Sequence, residues 1–246
     1  MLLATLNYNL PDLTDNLVEQ LNRDPLSDIC ELMVIDNGST IERKSVYTTH
    51  TVPENVFFGG GLNLIFDYFL QTDHDYVYVL NNDLIFHGNR FLTTSLNEAT
   101  KADAGVYSPS IINASIDQCN WKQMWNWGSL TPREVKWIDF QCPLIRRDVV
   151  ELIKQYPELL YLGWGNDFYT GIITDKHSIK TVVSDTNTIC HLNSQTFKQN
   201  VASIDIHKFC QEAERNMNQY FNQAGYWDIY TTFRNYGAFY EQSYKH

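Results

Sequence analysis

The sequence predicts an α/β protein built on a parallel sheet, and three observations carry that prediction. Apolar strand-like segments alternate with amphipathic helix-like ones over the first hundred residues. The buried strands run out into polar turn formers. The composition of the 246 residues, 43% hydrophobic, 14% aromatic and only 19% charged, is too apolar and too weakly charged for disorder and is enough for a large core.

The elements follow in order. Leu2 to Tyr8 reads as a buried strand ending at Asn9-Leu10-Pro11, and Leu10, Leu13, Leu17 and Leu21 fall on one helix face. Ile29 to Ile35 is a second strand, stopped by Asp36-Asn37-Gly38-Ser39. Leu62, Ile65, Phe66, Phe69 and Leu70 mark an amphipathic helix that begins after three glycines, and Tyr76 to Leu80 is a third strand, ending at Asn81-Asn82-Asp83. Polar and acidic residues thus collect at the C-terminal ends of three strands, the edge where open α/β sheets bind ligands. Beyond residue 100 the pattern loosens: Ala104 to Tyr107 and Val135 to Ile145 are strand candidates, and Asn166 to Thr174 reads as a helix. Ile206, Phe209, Ala213, Met217, Tyr220 and Ala224 form a last helical stripe, an appended lid or an oligomer contact, before a Tyr- and Phe-rich tail.

Charge narrows the function. With 18 Lys and Arg against 29 Asp and Glu the net charge is −11, the wrong sign for a nucleic-acid partner. The longest apolar run, Tyr76 to Leu80, is far too short to span a bilayer. The five cysteines are odd in number and have no zinc-ligand spacing, so free thiols in a reducing cytoplasm are expected.

Five places hold chemistry-bearing groups. Asp36, at a strand end, can accept hydrogen bonds from a ribose or base, or can be an Asx turn. The segment Asn55 to Asn63 joins a glycine run to a helix start, where N–H groups could receive a diphosphate, or is a plain flexible loop. Asp83, beside Asn81 and Asn82, offers hard oxygen donors for Mg²⁺ or Mn²⁺, or a polar turn. Gly163-Trp164-Gly165-Asn166-Asp167 sets an aromatic plate for a sugar beside a carboxylate able to take a proton, or is a capped helix start. His191 is a metal ligand or a structural imidazole.

The order of Asn7-Tyr8-Asn9, Asp36-Asn37-Gly38-Ser39-Thr40, Asn55 to Asn63, Asn81-Asn82-Asp83, Gly163 to Asp167 and His191 resembles that of family 2 glycosyltransferases, in particular their rhamnosyltransferase-like and galactofuranosyltransferase-like branch. The resemblance covers residues 1–195 and implies a GT-A fold over 1–198, with a nucleotide-binding half (1–100), an acceptor half (101–198) and a helical extension at 199–246. It implies that Thr5, Asn7, Asp36 and Asn82 bind the nucleotide, with Asn55, Gly61 and Asn63 near the base or diphosphate. It further implies that Asp83, His191 and Asn81 hold Mn²⁺ or Mg²⁺ and that Asp167 is the general base. Trp164, Asn166, Asp139 and Gln141 would contact sugar or acceptor. The donor would be a UDP-, dTDP- or GDP-sugar, the acceptor a glycan or glycoconjugate, and the reaction an inverting single displacement. Three residues depart from the family pattern: Phe57 replaces a common glycine, Asn81 the first metal-motif Asp, and Asn166 the usual Glu. Two other readings stand beside this one, a non-catalytic nucleotide-sugar or glycan-binding scaffold and a sugar nucleotidyltransferase. The latter usually carries Arg or Lys just after the first strand, where this chain has Asn7-Tyr8-Asn9-Leu10-Pro11.

Overall fold

A computed structural model of the chain describes residues 1–112, 119, 121–192, 195, 199 and 205–240; the boundary expected at 198 and the last six residues of the tail lie outside these. Strands β1 (Leu2–Asn7), β2 (Glu31–Asn37), β3 (His50–Val52) and β4 (Tyr76–Leu80) form the first half of one curled sheet. All three ladders in it, β2 on β3, β1 on β2 and β1 on β4, are parallel, as the alternating pattern predicts. Helices α1 (Pro11–Leu21) and α2 (Phe57–Phe69) make the crossovers. Pro11 opens α1 at a position where its missing N–H costs nothing.

The second half adds β5 (Leu84–Phe86), β6 (Ala104–Ile111), β7 (Arg133–Val135), β8 (Leu144–Arg146) and β9 (Lys180–His191), giving the order β3-β2-β1-β4-β8-β6-β9-β5, with β7 also on β9. Here β6 and β9 are parallel, while β8 runs antiparallel to both β4 and β6, and β5 and β7 run antiparallel to β9. The sheet is therefore mixed beyond residue 80. The strand expected over 135–145 is two short strands, β7 and β8, separated by an irregular stretch that passes the tip of β4: Val79 N–H donates to Pro143 O and Asn81 N–H to Gln141 O. That stretch places Asp139 and Gln141 at the sheet edge.

Helices α3 (Phe91–Ala102), α4 (Arg147–Ile153) and α5 (Asn166–Lys176) cover the sheet, and α6 (Ile206–Gln223) and α7 (Trp227–Phe239) follow. The stripe on α6 is used within the chain: Met217 and Phe221 join Trp137, Leu160, Phe168, Ile172, Tyr230 and Phe233 in a second apolar core beside the main one. Trp137 is central to it, fully buried, with its ring 4.1 Å from that of Phe168 and its indole N–H donating to Phe233 O. The C-terminal helices thus brace the segment that carries Asp139 and the helix that carries Asp167.

Two expectations change. Thr14, not Leu13, lies with Leu17, Val18 and Leu21 on the buried face of α1. The three glycines at 59–61 are not a loop before α2 but belong to its first turns. A Cβ on Gly59 would sit 2.3 Å from Leu160 O, and one on Gly61 would sit 2.4 Å from Leu6 Cδ1, so the glycines serve close packing of α2 on its neighbours.

Candidate functional site

At the ends of β1 and β2 a buried polar network forms around Asn7. Its amide nitrogen donates to Asp36 Oδ1 (3.3 Å), Ser39 Oγ (3.2 Å) and Arg43 O (2.9 Å), and its Oδ1 accepts from Leu10 N–H and the Thr14 hydroxyl. The parallel register that pairs Asn7 with Asp36 puts the two side by side. Asn82, two residues beyond β4, joins by donating to Thr14 Oγ1. Asp36 is fully buried; Lys44 Nζ lies 3.5 Å from its Oδ2, which takes part in no hydrogen bond. Nearby on β1, the Thr5 hydroxyl is buried without a partner.

The segment Asn55 to Asn63 is committed to the protein itself. Asn55 Oδ1 accepts from Asn37 and from Phe57 N–H, Asn63 grips the Tyr156 backbone through both its donor and its acceptor, and Gly60 N–H donates to Tyr161 O. The 156–161 segment thus ties down Gly60 and Asn63, while Gly61 packs against Leu6. Phe57, where the resemblance places glycine, has φ +57°, a conformation in which a bulky residue is strained. Its ring is held by Tyr161 (5.5 Å) and by Phe209 of α6 (6.0 Å).

Across the edge, at β4, β5, β9 and α5, the groups are acidic. Leu84 pairs with His191 in the β5–β9 ladder, so Asp83, one residue earlier, meets the imidazole: Nε2 and Oδ1 are 3.1 Å apart, and both side chains are buried. Burial pushes the Asp83 carboxyl up, but the hydrogen bond and charge of His191 and the Gln195 N–H outweigh it, and its pKa lies below the ordinary value. Asp139 accepts from Gln141 Nε2 at 2.9 Å. Burial raises its pKa against the opposing pull of His191.

Asp167 stands in the first turn of α5, entered through Gly165 at φ +91°, where a Cβ would meet Met217 at 2.9 Å. Burial, with the charge of Asp139 added, pushes its pKa up to about 8, although the backbone N–H groups of Phe168 and its neighbours oppose the rise. Trp164, three residues earlier in the chain, is 39% exposed. Asn166 is fully buried and neither amide atom has a hydrogen bond; Gln141 Oε1 is likewise unpartnered.

The structure therefore pairs Asp83 with His191 and sets Gln141 on Asp139, and the charge of His191 acts on Asp139 as that of Asp139 does on Asp167. Among the described residues no three His, Cys, Asp or Glu side chains converge in the manner of a protein-only metal cage. A carboxylate and an imidazole fit instead a divalent ion that takes its remaining ligands from a bound molecule. Sequence reasoning missed Thr14 and Lys44. A polar residue on an otherwise apolar helix stripe marks Thr14, whereas nothing in the sequence distinguishes Lys44 from other loop lysines.

No protein-family model matches the chain, and no curated protein matches it in sequence. Solved structures do match. The mannosyltransferase PcManGT from Pyrobaculum calidifontis, in complex with GDP-Man and Mn²⁺, is 10% identical with a TM-score of 0.56, over 98% of this chain and 75% of that one. GalNAc-T7 with UDP, GalNAc and Mn²⁺ is 10% identical with a TM-score of 0.61, over 77% of this chain; the match spans only 42% of GalNAc-T7. A197 from STIV is 13% identical with a TM-score of 0.47, over 78% of this chain and 85% of that one. At such identities the likeness to the two transferases is one of architecture, and the chain has the α/β GT-A fold.

Proposed function

We propose that the protein is an inverting glycosyltransferase that moves a sugar from a nucleoside-diphosphate sugar to a hydroxyl of a glycan or glycoconjugate. The observation that carries this reading is the buried Asp83–His191 pair, set at the same sheet edge as the Asp139–Asp167 carboxylates and the Asn7–Asp36 network. The two GT-A neighbours, one in complex with GDP-Man and Mn²⁺ and the other with UDP, GalNAc and Mn²⁺, support it.

In this reading the Asn7–Thr14–Asn82 network orients Asp36 toward the ribose or base, with Thr5 beside it. Asp83 and His191, with Asn81 adjacent, hold Mn²⁺ or Mg²⁺. The bound ion would neutralise charge developing on the leaving diphosphate. Trp164 offers its face to a sugar ring, and Asn166, Gln141 and Asp139 offer polar contacts to sugar or acceptor. Asp167 takes the proton from the acceptor hydroxyl as that oxygen attacks the anomeric carbon, and a pKa near 8 makes it a stronger base than an ordinary carboxylate. Residues 1–198 form the transferase body, and α6 and α7 complete its acceptor side. No described helix is long and apolar enough to cross a membrane, and all five cysteines are free.

The test is incubation with α-linked UDP-, dTDP- and GDP-sugars and Mn²⁺, following nucleoside diphosphate release and product configuration by NMR. Release with a β-configured product is expected. Retained configuration contradicts the single displacement, binding without turnover favours a scaffold, and pyrophosphate release from a nucleoside triphosphate favours a nucleotidyltransferase.

A further inference from the structure

Lys44 has no assigned role, yet it covers the residue on which nucleotide recognition turns. Its ammonium is 3.5 Å from Asp36 Oδ2, with the lysine side chain 35% exposed and the carboxylate side chain fully buried. The adjoining residues fix its position: the Arg43 carbonyl accepts from Asn7, and Ser45 donates to Asp15 of α1. The loop that bears Lys44 is thus pinned to the end of β1 and to the N-terminal half of α1, while its side chain is partly exposed.

The surrounding charge makes this position unusual. The candidate site holds four carboxylates, Asp36, Asp83, Asp139 and Asp167, in a chain of net charge −11. Among the described residues Lys44 is the one Lys or Arg ion-paired with any of the four. A nucleoside diphosphate approaching this edge meets repulsion that a single divalent ion only partly offsets. The ammonium faces Asp36 Oδ2, the carboxylate oxygen that makes no hydrogen bond and that a ribose hydroxyl or base N–H would use. Freeing the carboxylate releases a cation on a flexible four-carbon stem beside the incoming anion.

We propose that Lys44 is a nucleotide-recognition residue that covers Asp36 in the absence of ligand and transfers its charge to the nucleoside diphosphate when the ligand takes over Asp36. The proposal rests on the transferase reading above. It makes the lysine an attractive contact for the ligand; a lysine that only competed for Asp36 would act in the opposite direction, so removing it distinguishes the two by sign.

The experiment is calorimetric titration of UDP, dTDP and GDP with Mn²⁺, at low and high salt, into wild type, Lys44→Met, Lys44→Arg, Asp36→Asn and the double variant D36N/K44M. For the nucleotide that binds, Lys44→Met should weaken affinity about ten-fold or more, as loss of a charge-assisted contact does. It should also flatten the salt dependence, and Lys44→Arg should restore most of both. D36N/K44M leaves no buried charge unpaired, so it remains usable where K44M folds poorly; it should lose a comparable factor relative to Asp36→Asn. Equal or tighter binding by Lys44→Met, with unchanged salt dependence, overturns the proposal and leaves the transferase reading intact. Failure of wild type to bind any of the three overturns that reading, and this proposal with it.

Discussion

The two ends of the candidate site are built on opposite principles. Around Asn7 the polar groups are largely neutral and satisfy one another: one amide bonds to three acceptors and its oxygen to two donors, tying β1, β2 and α1 together. Around Asp83, Asp139 and Asp167 the groups are acidic, withdrawn from water and without a Lys or Arg partner among the described residues. A side chain bonded to this many partners is held rigidly. Buried carboxylates that lack permanent counter-charges instead take what they need, a cation or a proton, from ligand and solvent. In the proposed function the first end serves recognition and the second chemistry.

Asp167→Asn should break the division most severely. Removing the base is expected to slow nucleoside diphosphate release from the cognate sugar donor by about 10²- to 10⁴-fold, with nucleotide affinity measured by calorimetry unchanged. An equal loss of affinity would show that the two ends are not separable.

The next effect is on pH. Asp167 must be ionised to act, so the rate should rise with pH and level off above about 8. Stability moves in the opposite direction. The folded state holds this proton more tightly than the unfolded chain, so the stabilisation it contributes falls as pH rises from the ordinary carboxylate range through about 8. Asp167→Asn has no such proton; its stability in urea should therefore gain on wild type as pH rises, and parallel curves would refute the shift.

At the recognition end, Asn7→Ala removes five hydrogen bonds and leaves buried partners. It should cost about 2–3 kcal/mol in urea denaturation, without displacing the pH–rate profile. Asp139→Asn is the mildest change. Losing the like charge should move the Asp167 limb of the pH–rate profile toward lower pH. A profile that stays in place would mean that burial alone sets the Asp167 pKa.

The recognition end was largely legible in sequence, and the fold around it more so. A strand that ends in Asn7 and another that ends in Asp36 become neighbours as soon as the sheet is parallel, and the alternating pattern of residues 1–80 announces that. The segment from 121 to 143 was not legible. Its path is set by hydrogen bonds to the tip of β4 and by Trp137 packing under α7, contacts between residues far apart in the chain that leave no local periodicity. Asp139 was accordingly named by resemblance and not by pattern. The glycine run misled for a related reason: contiguous glycines suggest a loop, yet here they let a helix approach Leu6 and the carbonyls of Leu160 and Tyr161. The Asp83–His191 contact follows from one antiparallel pairing, Leu84 with His191, that alternation alone does not predict.

The most direct test of the account is titration of UDP, dTDP and GDP into wild type and Asp83→Ala, each with Mn²⁺ and with EDTA. One nucleotide is expected to bind wild type only with Mn²⁺, and Asp83→Ala to lose this binding. Equal binding by Asp83→Ala in Mn²⁺, or no binding by wild type under any condition, would contradict it.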